Sequence, residues 1–466
     1  MNRTGIFLAA AGVLALIALV AGLPRVVRST TVEVPIVTPP ATSGSGSLKM
    51  TGRLSHPYVG LGRSDVFLTV DLSAVDVAGA ARAPLNLALV IDRSGSMSGF
   101  KLTQAKQAAK QLVSQLTAND RLSIVHYGSD VKSMAGTFAT TENKERMLSY
   151  LEGIWDDGGT NIGAGLSTGR DLLLAARSDF KVNRMILISD GQPTEGLTDA
   201  NGLNAIVRET RQQGISVSSI GVGTDFNEDL MQGFAEAGSG AYAYLADASQ
   251  LGTIFQKDLN QAGTQVARNV TLSFELPTGV ELGEVLGYRA VQTARMVRIS
   301  MPDFAASQLE RVVARVVVSG TTAGSAVDVA RLRLDYTDLL KNDSITDEAT
   351  LAAMVTDQSE VVMKNRDKEA SVFAARARSA VNTQQAAELL KQGETEKANA
   401  LLDQNTFYFE DAAKVAGPAA VEADVAEQKT MRDDFSNAQS EEGRQGASKA
   451  AKRKARIDFG LRGSTY

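Results

Sequence analysis

The sequence predicts an α/β fold, a doubly wound and mostly parallel sheet, which is inserted in or attached to a β-sandwich and followed by an α-helical region. Apolar strand-like runs alternate with helical patterns from Leu85 onward, as in a sheet covered by helices on both faces. After about Val266 short strand patterns follow one another without helices, which is typical of a sandwich. From about Thr346 the chain is alanine-rich, and we expect helices there.

Length and composition narrow the class of protein. A chain of 466 residues is too long for one ordinary core, and 44% hydrophobic with 22% charged residues is usual for globular proteins. The net charge of -5 provides no overall positive field, so we expect no nucleic-acid partner. The sequence has no cysteine, which excludes disulfides and thiol catalysis, and its two histidines, His56 and His126, make a histidine-rich metal site or a serine triad improbable.

The N-terminal sequence predicts a membrane-targeting segment. Gly5 to Leu23 is an uncharged apolar run of bilayer-spanning length, with Arg3 before it and Arg25 after it. An uncleaved anchor is the favoured interpretation, and a cleaved secretory signal is the alternative. Both place the folded part outside the cytoplasmic membrane, in the periplasm or at the cell surface, and cleavage would make the protein secreted. The Ser-, Thr- and Pro-rich segment that follows predicts a flexible linker.

The strand pattern around Ser64 lacks neighbouring partners, so we expect it to complete the later β-sandwich, with the α/β domain inserted between the two parts. The C-terminal region predicts one helical hairpin with its turn at Gly393. The basic cluster Lys449 to Arg456 predicts a solvated tail, and contact with anionic lipid or a partner is the alternative. The predicted segments are a membrane anchor or signal (1–28), a linker (29–50), β-strands of the sandwich (51–83), the α/β domain (84–261), the β-sandwich (262–342), a helical region (343–435) and a polar tail with the basic cluster (436–466).

Oxygen-bearing side chains follow three strands of the α/β domain. They lie in "DRSGSMSG" after the first strand, in "DDGGTNIGAG" and in "SDGQPTEG". Ligands of such sheets bind at the carboxyl ends of the strands, so we expect the three loops to converge. Carboxylates and hydroxyls without nitrogen or sulfur suit a hard cation, with Mg²⁺ favoured and Mn²⁺ or Ca²⁺ as alternatives. The predicted metal-site residues are Asp92, Ser94, Ser96, Thr160 and Asp190.

These residues resemble the metal-ion-dependent adhesion site of von Willebrand factor type A (VWA) domains, in a membrane-anchored or exported bacterial type. Asp92-x-Ser94-x-Ser96, the threonine of "GGT" and the aspartate of "ISDG" match all five positions, over roughly Pro84 to Gln261. The resemblance implies that the serines and Thr160 hold the metal directly, while the two aspartates act mainly through water or the hydroxyls.

The resemblance also implies a function. Neutral hydroxyl ligands leave Mg²⁺ electrophilic, and a water-occupied position can accept an Asp or Glu side chain from a partner protein. We therefore expect a binding protein for adhesion or assembly and not an enzyme; the alternative is a non-enzymatic scaffold or assembly subunit of a membrane transport or metal-insertion complex. Arg93, inside the motif, is expected to lie beside the site and favour an acidic ligand. Ser167 in "GLSTG" fits an esterase pattern but lies in a predicted helix, where that nucleophile does not occur.

Overall fold

The computed structural model describes residues 40–77, 83–223, 225–245, 260–261 and 263–460. The predicted membrane segment, the start of the linker and most of the last helix predicted for the α/β domain lie outside these residues. The prediction of a flexible linker over residues 29–50 is wrong for its end, because residues 41–43 form a strand and residues 48–50 begin the next one. Within the described ranges, no helix is long and apolar enough to cross a bilayer.

The α/β domain ends after the tenth of the described strands. These ten strands are β1 (Ala41–Ser43), β2 (Leu48–Leu54), β3 (Tyr58–Gly60), β4 (Gly62–Ala74), β5 (Leu85–Asp92), β6 (Arg121–Tyr127), β7 (Val131–Phe138), β8 (Val182–Ser189), β9 (Ser216–Val222) and β10 (Ser239–Leu245). The helices between them are α1 (Phe100–Gln115), α2 (Thr141–Glu152), α3 (Ile162–Leu174), α4 (Ala200–Gln212) and α5 (Glu228–Ala237).

Strands β5 to β10 form one six-stranded sheet in the order β10-β9-β8-β5-β6-β7, parallel except for the antiparallel edge strand β7. Alternate residues of β5 explain why both faces carry helices. Leu87 and Leu89 belong to the core that includes α1 and α2, while Ala88 and Val90 belong to the core that includes α3, α4 and α5. The chain passes from β5 to β6 on one side and later to β8 on the other, so the strand order reverses at the carboxyl end of β5.

The remaining eight strands follow the α/β domain. They are β11 (Gln265–Glu275), β12 (Val280–Leu286), β13 (Ala290–Thr293), β14 (Met296–Ser300), β15 (Phe304–Ala305), β16 (Leu309–Gly320), β17 (Ala326–Asp338) and β18 (Asp343–Thr356). Two sheets result, β1-β2-β4-β16-β12 and β13-β14-β11-β17-β18-β3, with β15 also pairing with β11. Their inner residues share one apolar core, as in a β-sandwich.

The pairing of β4 with β16 confirms that the α/β domain is inserted in the sandwich. The two strands are antiparallel over their whole length, with Val70 opposite Val312. The N–H of Ala83 donates to the carbonyl of Gly263 at 2.9 Å, so the chain enters and leaves the α/β domain at neighbouring points. The predicted fold class is therefore confirmed.

The prediction that the helical region begins at residue 343 is wrong, because residues 343–356 form strand β18. Burial alternates along it, with Leu351, Ala353 and Val355 facing the sandwich core. Pairing with β17 along its length overrides the helical preference of its alanines. The helices that follow are α6 (Ser359–Lys364), α7 (Lys368–Lys391), α8 (Thr395–Ala416), α9 (Glu422–Asn437) and α10 (Glu441–Asp458).

Helices α7 and α8 form the predicted hairpin, with Gly393 in the left-handed region at φ +85° in its turn. The expectation of a solvated basic tail is wrong for the described part of residues 436–466, where α10 packs against the rest of the protein. Lys449 and Arg456 are buried, and Phe459 joins an apolar cluster with Leu286 of the sandwich. The lysine and arginine stems cover apolar surface while their charges find partners within the chain.

Candidate metal centre

The first loop of the site begins where β5 ends. The Asp92 side chain is fully buried, and both of its carboxylate oxygens accept hydrogen bonds: the Ser94 N–H donates to Oδ1 at 2.9 Å and the Ser189 hydroxyl to Oδ2 at 2.6 Å. The Ser189 hydroxyl also accepts from the Gly191 N–H at 2.8 Å. The buried carboxylate is therefore held in a fixed orientation and connects the loops after β5 and β8.

Ser94 and Ser96 present neighbouring hydroxyls. Their Oγ atoms are 3.1 Å apart, Ser94 being buried and Ser96 exposed. A 3-10 turn over Gly95–Met97 holds them, and the buried Met97 side chain anchors this turn in the core. The pair thus offers two neutral oxygen ligands at the surface end of a buried loop.

Backbone hydrogen bonds bring the second loop to the first and the third. The Gly95 N–H donates to the carbonyl of Gly158 at 3.0 Å, and Gly158 has φ +76°, a conformation that suits glycine. The Thr160 N–H donates to the Thr194 hydroxyl at 2.9 Å, and the Thr160 carbonyl accepts from the Thr194 N–H at 3.0 Å. Thr160 therefore lies between the loops that carry the serines and Asp190.

Asp190 has an unsatisfied oxygen. Its side chain is fully buried and its carbonyl accepts from the Asn227 N–H at 2.8 Å. Its Oδ2 lies 3.2 Å from Lys101 Nζ, whereas its buried Oδ1 has no hydrogen-bond donor among the described residues. A buried carboxylate oxygen without a donor is costly, and a cation would satisfy it.

The electrostatics of the site also favour a cation. The pKa of Asp92 is raised to about 6, mainly by burial and to a smaller extent by the nearby charge of Asp190, while hydrogen bonds from Ser189 and Ser94 act in the opposite direction. Two buried carboxylates of like charge repel one another unless positive charge lies between or beside them. The donor set of two carboxylates and three hydroxyls fits Mg²⁺, since all its atoms are oxygen. Among the described residues, no three histidine, aspartate or glutamate side chains come together to hold a metal ion, so the candidate site depends on its hydroxyls as well as on its two carboxylates.

Arg93 lies in the first loop beside the candidate site, as expected, and that its charge favours an acidic ligand stays a prediction. Its side chain is only 2% exposed and its guanidinium bonds to the Asp130 carboxylate and, at 3.3 Å, to the carbonyl of Asp157. The Arg93 carbonyl in turn accepts from the Asp157 N–H at 2.8 Å. Arg93 is a positioning residue that joins the first and second loops.

Sequence reasoning missed Lys101 and Ser189. Lys101, in the first turn of α1, lies with its Nζ 2.7 Å from Asp225 as well as near Asp190, so it bridges two acids at the site. Ser189 immediately precedes Asp190, and its position at a strand end was the available signal. Nothing in the local pattern around Lys101 distinguishes it from the other lysines of α1.

Two aromatic side chains flank the loops at the surface. Phe100, just after the serine loop, is 69% exposed, and Trp155, just before the threonine loop, is 63% exposed. His126 instead packs inside, with its ring centroid 5.6 Å from that of Tyr150. Ser167 lies within α3, away from any strand-to-helix turn.

The fold and the oxygen-lined loops define a doubly wound domain with a candidate binding site at its strand-order reversal. Residues 86–257 match the family model of the von Willebrand factor type A domain, and the α/β domain of this chain is a VWA domain. Domains of this family are typically interaction modules and not enzymes, and they commonly bind divalent metals.

Relatives share this part of the chain. The protein YfbK of Escherichia coli K12 is 29% identical over 228 residues, 48% of this chain and 40% of that protein. Human inter-alpha-trypsin inhibitor heavy chain H2 is 29% identical over 198 residues, 41% of this chain and 21% of that protein. The chain thus spans less than half the length of each of these relatives.

A solved structure shows a similar overall fold. The von Willebrand factor type A protein from Catenulispora acidiphila aligns with a TM-score of 0.64 at 16% identity, covering 85% of this chain and 91% of that one. The similarity extends beyond the VWA domain, since the family model matches only residues 86–257.

Proposed function

We propose that the VWA domain is a Mg²⁺-dependent protein-binding module whose metal takes a carboxylate from a partner protein. The observation that carries this proposal is the buried Asp190 Oδ1, which lacks a donor among the described residues and lies beside the loops of Asp92, Ser94 and Thr160. Ser94, Ser96 and Thr160 would hold the ion, and the two aspartates would balance its charge. Bound Mg²⁺ would supply an electrophilic centre with a position open to an acidic side chain.

The surface around the loops supports a protein partner. Exposed Phe100 directly follows the serine loop and exposed Trp155 directly precedes the threonine loop, and Lys132 Nζ lies 5.6 Å from the Trp155 ring centroid. Exposed aromatic side chains are enriched in binding hot spots, while a charge-assisted contact at the centre gives specificity. A partner would therefore combine an Asp or Glu with apolar surface near it.

The location is also a proposal. The apolar N-terminal run would hold the VWA domain outside the cytoplasmic membrane, where it would meet envelope or extracellular proteins. Protease added to intact cells, after the outer envelope is permeabilised, should then cut the folded region. Protection that ends only on lysis of the cytoplasmic membrane would contradict this location.

Affinity capture tests the proposed binding. Purified protein is immobilised and exposed to an envelope extract with Mg²⁺, and bound proteins are eluted with a chelator. We expect a partner that elutes with chelator from the wild type and from Ser98→Ala, but does not bind Thr160→Ala. Ser98 is the control because it is an exposed serine of the first loop, close in sequence to Ser94 and Ser96 but outside the donor set. A partner held equally by Thr160→Ala, or resistant to chelator, would overturn the proposal.

A further inference from the structure

A large cleft lies where the VWA domain, the β-sandwich and α10 meet. Its volume is about 780 Å³, within the size range of small-molecule sites. The VWA side of the cleft consists of residues near the ends of α4 and α5 and at the start of β10. These positions lie at the end of the sheet opposite the candidate metal centre. The sandwich side comes from the β12–β13 connection and β14, and Arg456 of α10 completes the lining.

Arginine is the only basic residue type in the lining and occurs five times. The arginines are Arg208, Arg211, Arg289, Arg298 and Arg456. Two of them are neutralised within the protein. Arg211 pairs with the buried Asp303, and Arg456 Nη1 lies 3.1 Å from Glu236 Oε1.

The other three arginines have no such partner. Arg208, Arg289 and Arg298 are exposed, and none has a carboxylate within 4.0 Å among the residues that the structure describes. The carboxylate that Arg298 influences, Asp335, is already bound by Arg333 at 2.9 Å. Three positive charges from α4 and from the sandwich therefore line one cleft without an ion-pair partner among the described residues.

The rest of the lining selects the kind of anion. Thr271 and Ser300 add hydroxyls, while Val291, Met301 and Pro302 add apolar surface. Guanidinium groups bind carboxylate and phosphate oxygens in pairs of parallel hydrogen bonds. Because the arginines come from opposite sides of the cleft, one ligand with two or more anionic groups would engage both sides.

We propose that this cleft binds a small organic molecule bearing two or more carboxylate or phosphate groups. The ligand would lie between the VWA domain and the sandwich and stabilise their arrangement. This site is separate from the candidate metal centre and needs no metal, so the inference is independent of the proposed function.

Calorimetry with two probes in chelator-treated, metal-free buffer tests the inference. Citrate represents the polycarboxylates and inorganic pyrophosphate the phosphates. At low ionic strength we expect saturable one-to-one binding of at least one probe, with a Kd below about 1 mM. The stronger probe identifies the anionic group. Absence of saturable binding for both probes would overturn the proposal.

Variants locate the binding. Arg208→Gln and Arg298→Gln should each weaken the stronger probe about tenfold, because each removes one uncompensated charge from a different side. Arg295→Gln is the matched control, since Arg295 is exposed, lies outside the lining and bonds to Thr278 at 2.6 Å. Unchanged binding by both cleft variants, or an equal loss in Arg295→Gln, would show general charge attraction and contradict the site.

Discussion

At the scale of single residues, we expect Lys101 to compete with a bound metal ion for Asp190. Its Nζ lies 3.2 Å from Asp190 Oδ2, so its charge already compensates part of that buried carboxylate. Lys101→Met removes this competing charge, and we expect the Kd for Mg²⁺ to fall about tenfold, a gain of about 1.4 kcal/mol. Titration calorimetry measures it. Lys110→Met is the control, because Lys110 lies on the same helix and pairs with Glu152 away from the site. Equal affinities in all three proteins would contradict this role.

The two histidines make stability depend on pH. Burial, followed by the charges of Arg93 and Lys132, lowers the pKa of His126 to about 4, and burial followed by Arg366 lowers the pKa of His56 to about 4. Both are neutral in the folded state, whereas the unfolded chain takes up their protons near pH 6.5. The contribution of the two neutral histidines to stability is therefore fully present above about pH 6.5 and is lost as the pH falls toward 4.

His126→Gln should remove part of this loss. Between pH 6.5 and 4 we expect its free energy of unfolding to fall less steeply than that of the wild type, by up to about 1.4 kcal/mol per pH unit. Urea unfolding at several pH values measures the slope. The raised pKa of Asp92 acts in the opposite direction but is common to both proteins, so it cancels in the difference. Equal slopes would contradict a neutral buried His126.

At the scale of elements, helix α10 connects the helical region to the VWA domain. Lys452 Nζ lies 3.3 Å from Glu228 Oε2 of α5 and also pairs with Glu388 of α7, and Arg456 pairs with Glu236. Lys449 Nζ lies 3.8 Å from the Phe226 ring centroid. Burial lowers the pKa of Lys449 to about 8, the cost of placing that ammonium against aromatic rings.

The double variant Lys452→Gln/Arg456→Gln should detach α10 from α5. Loss of two cations leaves Glu228 and Glu236 without their positively charged partners, and we expect a destabilisation of about 3 kcal/mol in urea unfolding. Faster proteolysis within α10 should accompany it. Lys397→Gln is the control, because Lys397 is highly exposed and pairs only with Glu394 of the neighbouring turn. A loss no larger than that of the control would refute the anchoring role.

The elements show what local sequence can predict. The continuous apolar run of β5 and the strand–helix order can be predicted from the sequence, because a strand covered by helices on both faces is buried at every position. Strand β18 cannot be predicted in this way, because alanines such as Ala352 and Ala353 favour helices locally and only pairing with β17 makes this segment a strand. The local sequence of helix α10 predicts a solvated tail, because the acidic partners of its basic residues lie far away in the chain.

The candidate site also has features that local sequence predicts and features that it does not. Asp92, Ser94 and Ser96 lie within one loop, so their spacing is visible in the sequence. The direction of the Arg93 side chain is not visible there. Lys101 depends on Asp225, which lies 124 residues away, and no local pattern encodes that pairing.

At the scale of the whole molecule, the insertion predicts an autonomous VWA domain. Every candidate ligand lies between residues 83 and 263, whose ends are joined by a hydrogen bond. The fragment 83–263 should fold alone and bind Mg²⁺ with a Kd within about threefold of the full chain. Circular dichroism and calorimetry check both. A folded fragment that no longer binds Mg²⁺ would mean that the sandwich or helices complete the site.

We propose that three loops of the VWA domain together hold one Mg²⁺. Titration calorimetry of Mg²⁺ into the full chain, Thr160→Ala and Ser98→Ala provides the test, because Thr160 is the donor that the second loop contributes. We predict one Mg²⁺ per chain, binding about tenfold or more weaker in Thr160→Ala, and unchanged binding in Ser98→Ala. Binding that is absent from the wild type, or equally strong in Thr160→Ala, would contradict the claim.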